Sequence, residues 1–284
     1  MDFKRKLKKA FQLDTYAIGA GIRNVSRLRW FLKNAPGYLR SVAKIRSDPA
    51  LLRDLRTRKQ RLKIDHLLAQ IDARQLDEIA RTYAAGEQSK WTKYLDARKW
   101  LVRSTEQARK LGLILNPPKD VLDLGCGAGY FLFVQKQLGA RVLGVDLEGD
   151  PIFERMIRLL EIDRIPWAVT RQVSLPDFDG RRFDLITAWM ICFNNHDQPE
   201  SIWGPDDWDF LLDDLAGRLT PNGRVVFSLN PQRDGKFYSA KIGKLFETRS
   251  DLMDGRLVIF SKSRLDATTV RRPRPIALQP GMPS

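Results

Sequence analysis

Between residues 121 and 146 the chain fixes its own geometry more tightly than anywhere else. Val121-Leu-Asp-Leu is apolar enough to be an interior strand and carries an acid, Asp123, near its end. Gly125, Gly127 and Gly129 then alternate, and a second apolar run, Val142-Leu-Gly-Val, ends in Asp146. Glycines at this density after a strand let the backbone turn sharply and approach another group closely. The helix that follows offers free N–H groups at its start. A carboxylate closing the next strand stands where it can accept hydrogen bonds from a pair of hydroxyls, such as those of a ribose. This is the layout of a nucleoside-cofactor site at the edge of a parallel sheet.

Strand and helix patterns alternate from residue 120 onward, which predicts an α/β fold. Strands are expected at 121–124, 142–145, 167–169, 184–189 and 224–229. Helices are expected at 129–138, 151–160 and 206–219, and a turn at Pro221-Asn-Gly223. A helical insertion is expected near 238–245, and 245–249 with 256–261 reads as an antiparallel hairpin. Before residue 120 the pattern is helical. Phe3, Leu7 and Phe11 share a face, as do Ile22, Val25, Leu28 and Leu32. Pro36-Gly37 breaks the pattern, a further amphipathic stretch runs from about 49 to 81, and Ala84-Ala85-Gly86 breaks it again. A helix over 89–111 places Trp91, Tyr94, Leu95, Trp100 and Leu101 on its apolar side. Three regions result: a basic helical extension, 1–87; a catalytic-type domain, 88–265; and a tail, 266–284, with prolines at 273, 275, 280 and 283.

Charge separates the same regions. The chain of 284 residues has a formal net charge of +15. Residues 1–63 hold 18 Lys and Arg against 4 Asp, and residues 271–284 hold 3 Arg and no acid. The body between them is nearly neutral. The head therefore needs its own explanation: an anionic membrane surface, an acidic polymer, nucleic acid phosphates, or a solvated cap over the body. The N-terminus lacks the pattern of a secretory signal, there is no apolar run of spanning length, and two cysteines make no disulfide framework. A cytoplasmic protein is expected, with the head able to place it at the inner face of a membrane.

The glycine spacing separates cofactor classes. Dinucleotide folds space their glycines as G-x-G-x-x-G around a pyrophosphate. Here the run is Asp123-x-Gly125-x-Gly127-x-Gly129, and an acid ahead of the loop suits a cationic amino-acid group instead. Residues 120–262 resemble class I S-adenosylmethionine-dependent methyltransferases. Asp123-Leu-Gly-Cys-Gly-Ala-Gly129 matches the family's first motif and Asp146 the acid ending its second strand. Phe183-Asp-Leu-Ile matches the fourth-strand motif, and Leu219-Thr-Pro-Asn-Gly-Arg-Val-Val-Phe the turn into the fifth strand.

The resemblance implies a seven-stranded Rossmann-like sheet with helices on both faces, and S-adenosylmethionine as cofactor. It assigns the methionyl part to Asp123, Gly125, Cys126, Gly127, Gly129 and Tyr130, the ribose to Asp146, and the adenine to Leu147. Gln172 stands where many members carry an acid for the adenine amino group, and Trp189 is a candidate wall beside the sulfonium. The aromatic segment from Trp91 to Trp100 is a candidate lid.

Acceptor residues should follow strand four, in Thr187-Ala-Trp-Met-Ile-Cys-Phe-Asn-Asn-His-Asp197. His196 is the candidate general base and Asn195 its candidate helper; no metal is expected. Asn116-Pro-Pro118 is read as a linker, because the base-amino methylation motif it resembles belongs after strand four and ends in an aromatic residue. The expected reaction is methyl transfer to an O or N atom of a small molecule, glycan or lipid-linked sugar. RNA or another nucleic acid is the alternative acceptor, and a non-catalytic binding protein is the alternative class.

Overall fold

The computed structural model describes residues 47–84 and 91–268. The expected helices before residue 47, the Pro36-Gly37 break, Ala85-Gly86, Ser89 and the tail from Arg271 lie outside these residues. The chain divides into two compact units that interleave along the sequence. One takes the described residues up to Lys119, with Gly127–Val142 and Gly149–Asp163; the other takes Asp120–Cys126, Leu143–Glu148 and Arg164 onward.

The second unit is built on the sheet. Its strands are β1 (Asp120–Leu124), β2 (Arg141–Asp146), β3 (Arg164–Pro166), β4 (Phe183–Ile191), β5 (Leu219–Leu229), β6 (Leu252–Asp254) and β7 (Leu257–Ser261). They lie in the order β3-β2-β1-β4-β5-β7-β6. The pairs β1/β4, β2/β3 and β4/β5 are parallel, whereas β7 runs antiparallel to both β5 and β6. The expected α/β class and seven-stranded sheet are therefore what the chain forms. Strand order reverses between β1 and β4, and in open α/β sheets ligands bind at the carboxyl ends of the strands at such a point. Asp123 sits there, paired in register with Thr187.

The sheet packs against a large apolar core. Leu122, Leu124, Ile186, Ala188, Val225, Phe227, Val258 and Phe260 are all buried in one core. Trp208 of a helix over Pro205–Ala216 meets Phe227 and Phe246 at ring separations of 5.6 and 5.3 Å, and Phe227 meets Phe260 edge-on at 5.6 Å. Each such aromatic contributes roughly 2–3 kcal/mol by burial.

Three sequence expectations need correction in this unit. The third strand is Arg164–Pro166, not 167–169, because β2 ends at Asp146. Trp167 N–H donates to the Asp146 carbonyl at 2.9 Å, and beyond that point the edge strand has no partner. Residues 245–249 are not the first hairpin strand but the end of a helix over Ala240–Arg249, and the hairpin is β6/β7. Ile242, Phe246 and Arg249 are buried at helical spacing. Arg249, 1 % exposed, pairs with Asp209 and, on its other guanidinium nitrogen, Asp213. Finally, Pro221-Asn-Gly223 does not precede β5 but lies within it. The ladder absorbs these residues between the pairs Phe183/Leu219 and Leu185/Arg224.

The first unit is helical. Its elements are α1 (Pro49–Arg61), α2 (Ile64–Leu68), α3 (Ala73–Ala84), a 3₁₀ turn (Thr92–Leu95), α4 (Ala97–Lys110), α5 (Tyr130–Gln137) and α6 (Pro151–Leu159). Asp48 caps α1 by accepting from Ala50 and Leu51 N–H, with Pro49 at the first helical position. The amphipathic stretch over 49–81 forms three helices. Asp72 accepts from Arg74 and Gln75 N–H at 2.9 and 3.1 Å, and so starts α3 afresh. The helix expected over 89–111 divides for the same reason. Asp96 takes Lys99 N–H at 3.0 Å and caps α4, leaving Tyr94 in the 3₁₀ turn before it.

Candidate functional site

In the sheet unit, β1 delivers Asp123 to a position only 3 % exposed. Thr187 Oγ1 donates to its Oδ1 at 2.6 Å. Burial pushes the Asp123 carboxyl up to about 8; the Thr187 hydrogen bond pulls the other way, and the nearby Asp146 carboxylate adds to the rise. Among the described residues no cation pairs with this buried acid. Gly125 follows at φ +71°, a backbone that residues with a Cβ rarely adopt. Its N–H donates to the Val145 carbonyl at 2.7 Å, as does Cys126 N–H at 3.2 Å, so the loop is pinned to β2. A Cβ at Gly125 would meet nothing within 4 Å, so the backbone faces open space. Cys126 is buried, and burial together with the two carboxylates pushes its thiol up. It is a packed loop residue, not a thiolate nucleophile.

Asp146 ends β2, and Leu147 N–H donates to its Oδ1 at 2.8 Å. Leu147 itself is 61 % exposed, an apolar surface directly beside a carboxylate. Gln172 also adopts a left-handed backbone, at φ +53°, and its Nε2 donates to Asp207 at 3.3 Å.

The remainder of the glycine run belongs to the helical unit. Gly129 caps α5 at φ +78°, and a Cβ there would lie 2.8 Å from Ile157 Cδ1 and 3.3 Å from Ile162 Cγ1. Glycine is thus required both by the turn and by the approach of α6. Tyr130 is buried, and its hydroxyl donates to the Tyr94 carbonyl at 2.8 Å. Burial pushes its phenol up, so the hydroxyl stays protonated as a brace. Tyr94 stacks on Trp100 at 4.2 Å and meets Phe153 edge-on at 5.2 Å, and Trp91 lies 5.2 Å from Phe153. The aromatic side chains expected to form a lid thus make a cluster within this unit.

At the end of β4 the sheet unit is irregular. The ladder to β5 shifts register between Trp189 and Ile191, and the extra residue, Met190, sits at φ +57°. Strained non-glycine residues cluster at functional sites. In the loop beyond, Asn195 is held at φ +53°, with its N–H on the Cys192 carbonyl at 3.0 Å and its Nδ2 on the Ser201 carbonyl at 3.1 Å. The expected helper therefore braces the loop. Asn194 is 2 % exposed, and its Oδ1 has no hydrogen-bond partner. His196 Nε2 lies 3.1 Å from Asn230 Nδ2, whereas its Nδ1 is buried without a partner. Among the described residues neither of these two atoms has a hydrogen-bond partner, and they lie two residues apart in one loop.

A family model described as a methyltransferase domain matches residues 96–263. The chain belongs to the S-adenosylmethionine-dependent methyltransferase family. Among curated relatives, the ribosomal protein L11 methyltransferase of Thermosipho africanus (strain TCF52B) is 38 % identical over 86 residues, covering 30 % of this chain and 32 % of that protein. The chain thus spans about a third of that relative's length. Among solved structures, a TehB-like SAM-dependent methyltransferase from Corynebacterium glutamicum is similar at 19 % identity and TM-score 0.40, over 60 % of this chain and 96 % of that one. A ribosomal protein L11 methylase from Lactobacillus delbrueckii subsp. bulgaricus is similar at 22 % identity and TM-score 0.37, over 55 % and 77 %.

The residues of this methyltransferase fit the family's cofactor on their own chemistry. Asp123 is a buried acid without a cation, Gly125 faces open space, and Asp146 and Leu147 set a carboxylate beside an apolar surface. Thr187 and Asn230 were not singled out from the sequence. Thr187 could have been found from strand register, since a parallel neighbour of Asp123 must lie at the matching height on β4. Asn230 carried no signal beyond its place one residue after β5.

Proposed function

We propose that this methyltransferase moves a methyl group to an oxygen or nitrogen of a small molecule, glycan or lipid-linked sugar, and that the acceptor meets the loop after β4. The pair of orphaned polar atoms there, His196 Nδ1 and Asn194 Oδ1, carries this reading. Each is a buried polar group that gains a partner if the loop opens to a polar ligand. S-adenosylmethionine supplies, when bound, a methyl group on a sulfonium with a thioether as its leaving group. Asp123 would hold the cationic amino group, Asp146 the ribose hydroxyls and Leu147 one face of the adenine, with Gly125 and Gly127 giving the backbone its approach. Trp189 and Gln172 are the proposed outer contacts.

For a hydroxyl acceptor, the acceptor oxygen forms the new bond to carbon, the carbon–sulfur bond breaks, and the hydroxyl proton passes to a base. His196 is the proposed base, acting through Nε2 once its contact with Asn230 Nδ2 opens. A neutral amine needs alignment only, and its proton leaves to solvent afterwards. The test is transfer of radiolabelled methyl into separated small-molecule, polysaccharide, lipid and RNA pools. Label in the first three is the expected result. Label in RNA alone overturns the acceptor assignment. Cofactor binding without label in any pool establishes a binding protein instead.

For the basic head, an open surface depression lined by Arg56, Thr57, Gln60, Arg61 and His66 sets two guanidinium groups side by side, which supports an anionic partner. Thr57 and Gln60 both donate and accept, so the two arginines carry the preference for an anion. We assign it to an anionic membrane surface or acidic polymer, with peripheral attachment as the consequence. Among the described residues no helix is long and apolar enough to cross a membrane. Flotation of the full chain with anionic vesicles at low salt should succeed and be lost at high salt; no flotation on either would remove the membrane arm.

A further inference from the structure

Asn230 follows β5 directly, beside the irregular end of β4. Its amide nitrogen lies 2.9 Å from the Met190 carbonyl oxygen, 3.1 Å from the Ile191 carbonyl oxygen and 3.1 Å from His196 Nε2, with Cys192 Sγ at 3.4 Å. The two carbonyls decide which end of the amide faces them. Carbonyl oxygens only accept, so a flipped amide would set three acceptor oxygens against each other. The nitrogen therefore points inward, and it has two hydrogens to give. The bulge creates this arrangement. With Met190 in the left-handed region, the carbonyls of consecutive residues 190 and 191 both come within reach of one donor.

We propose that Asn230 is the positioning residue for His196: one amide hydrogen serves the bulge carbonyls, the other is donated to His196 Nε2, and the ring proton is thereby fixed on Nδ1. A neutral imidazole accepts at one nitrogen and donates at the other, so an N–H donor on Nε2 selects the Nδ1–H tautomer. This rests on the reading of the post-β4 loop as the acceptor side, and it sharpens that reading. Nδ1 is the buried ring atom without a partner. His196 then addresses the acceptor as a hydrogen-bond donor, and the lone pair that a general base needs is held by Asn230. Base action at Nε2 requires that contact to open first.

The chain contains two histidines, which makes the proposal directly measurable. The full chain is labelled with ¹⁵N-histidine, and long-range ¹H–¹⁵N correlations are recorded at neutral pH, with His66→Gln used to assign His196. The expected spectrum is that of an Nδ1–H ring. Asn230→Asp, close in shape but an acceptor at both oxygens, should make the two ring-nitrogen shifts exchange places. Asn230→Ala should lose the Nδ1–H pattern. An Nε2–H ring in the unmodified chain overturns the proposal whatever the variants do, so a variant that fails to fold leaves the test intact. His196→Ala with unchanged methyl transfer, beside an Nδ1–H spectrum in the parent, overturns the acceptor reading of the loop and upholds the Asn230 contact.

Discussion

The ends of β1 and β4 lie side by side in the sheet, yet they reach irregular geometry by different means. The β1 end uses glycine where the backbone turns left-handed, at Gly125 with φ +71°. The β4 end does the same with side chains present, Met190 at +57° and Asn195 at +53°. In the first loop the main chain does the work, and hydrogen bonds from Gly125 and Cys126 N–H to one carbonyl of β2 hold it. In the second, side chains do it, with Asn230 gripping the Met190 and Ile191 carbonyls at the bulge and Asn195 the Ser201 carbonyl in the loop beyond. A region shaped by backbone suits a ligand common to a family. A region shaped by side chains can be re-specified by single substitutions.

The predictions test that contrast, beginning with the largest effect. Asp146→Ala should weaken S-adenosylmethionine binding at least ~100-fold by calorimetry, on the order of 3 kcal/mol, from the loss of two hydrogen bonds to a charged acceptor. Unchanged affinity would remove the ribose assignment and with it the donor role of the β1–β2 edge. Gly125→Ala should cost about 1–2 kcal/mol of folding stability in a denaturant titration through backbone strain alone, because the new methyl meets nothing. No loss would show that glycine is dispensable there.

The third prediction concerns pH. The Asp123 carboxyl is raised from 3.8 to about 8 in the folded chain. Below pH 4 it is protonated in both states. Between 4 and 8 the folded state holds the extra proton, so the stability this group contributes falls as pH rises, at a slope of on the order of 1 kcal/mol per pH unit. Thermal denaturation of the cofactor-free protein should show that decline and its flattening in Asp123→Asn. Parallel curves for the two proteins would contradict the burial argument. The smallest expected effect is at the other strand end. Met190→Gly should raise stability by about 0.5–1 kcal/mol, the relief of left-handed strain less the entropy of glycine. A clear loss would mean that the Met190 side chain holds the bulge in place.

The same contrast explains what the sequence made legible. Gly125, Gly129 and Asp146 were readable because their geometry is local: a turn, a cap and a strand end within 25 residues. The α/β class with a parallel sheet was readable because strand and helix patterns alternate, and the seven-stranded form followed from the family resemblance. Trp167–Val169 failed as a strand because β-propensity says nothing of where the neighbouring strand ends. Residues 245–249 failed because alternation over five positions cannot be told from a helix whose buried face carries Phe246 and Arg249. Asn230 was invisible because its meaning depends on a bulge forty residues earlier. Thr187 was named only as part of a loop segment, because its bond to Asp123 depends on inter-strand register.

The two compact units do not follow one another along the chain. Backbone passes from one to the other after Lys119, Cys126, Val142, Glu148 and Asp163. The glycine run is itself one of these passages, with Gly125 on one side and Gly129 on the other. No single cut releases either unit whole, and no fusion at one point could have added either. Interleaving of this kind turns the first motif into a stitch: a chain cut anywhere between residues 120 and 163 parts segments of both units at once.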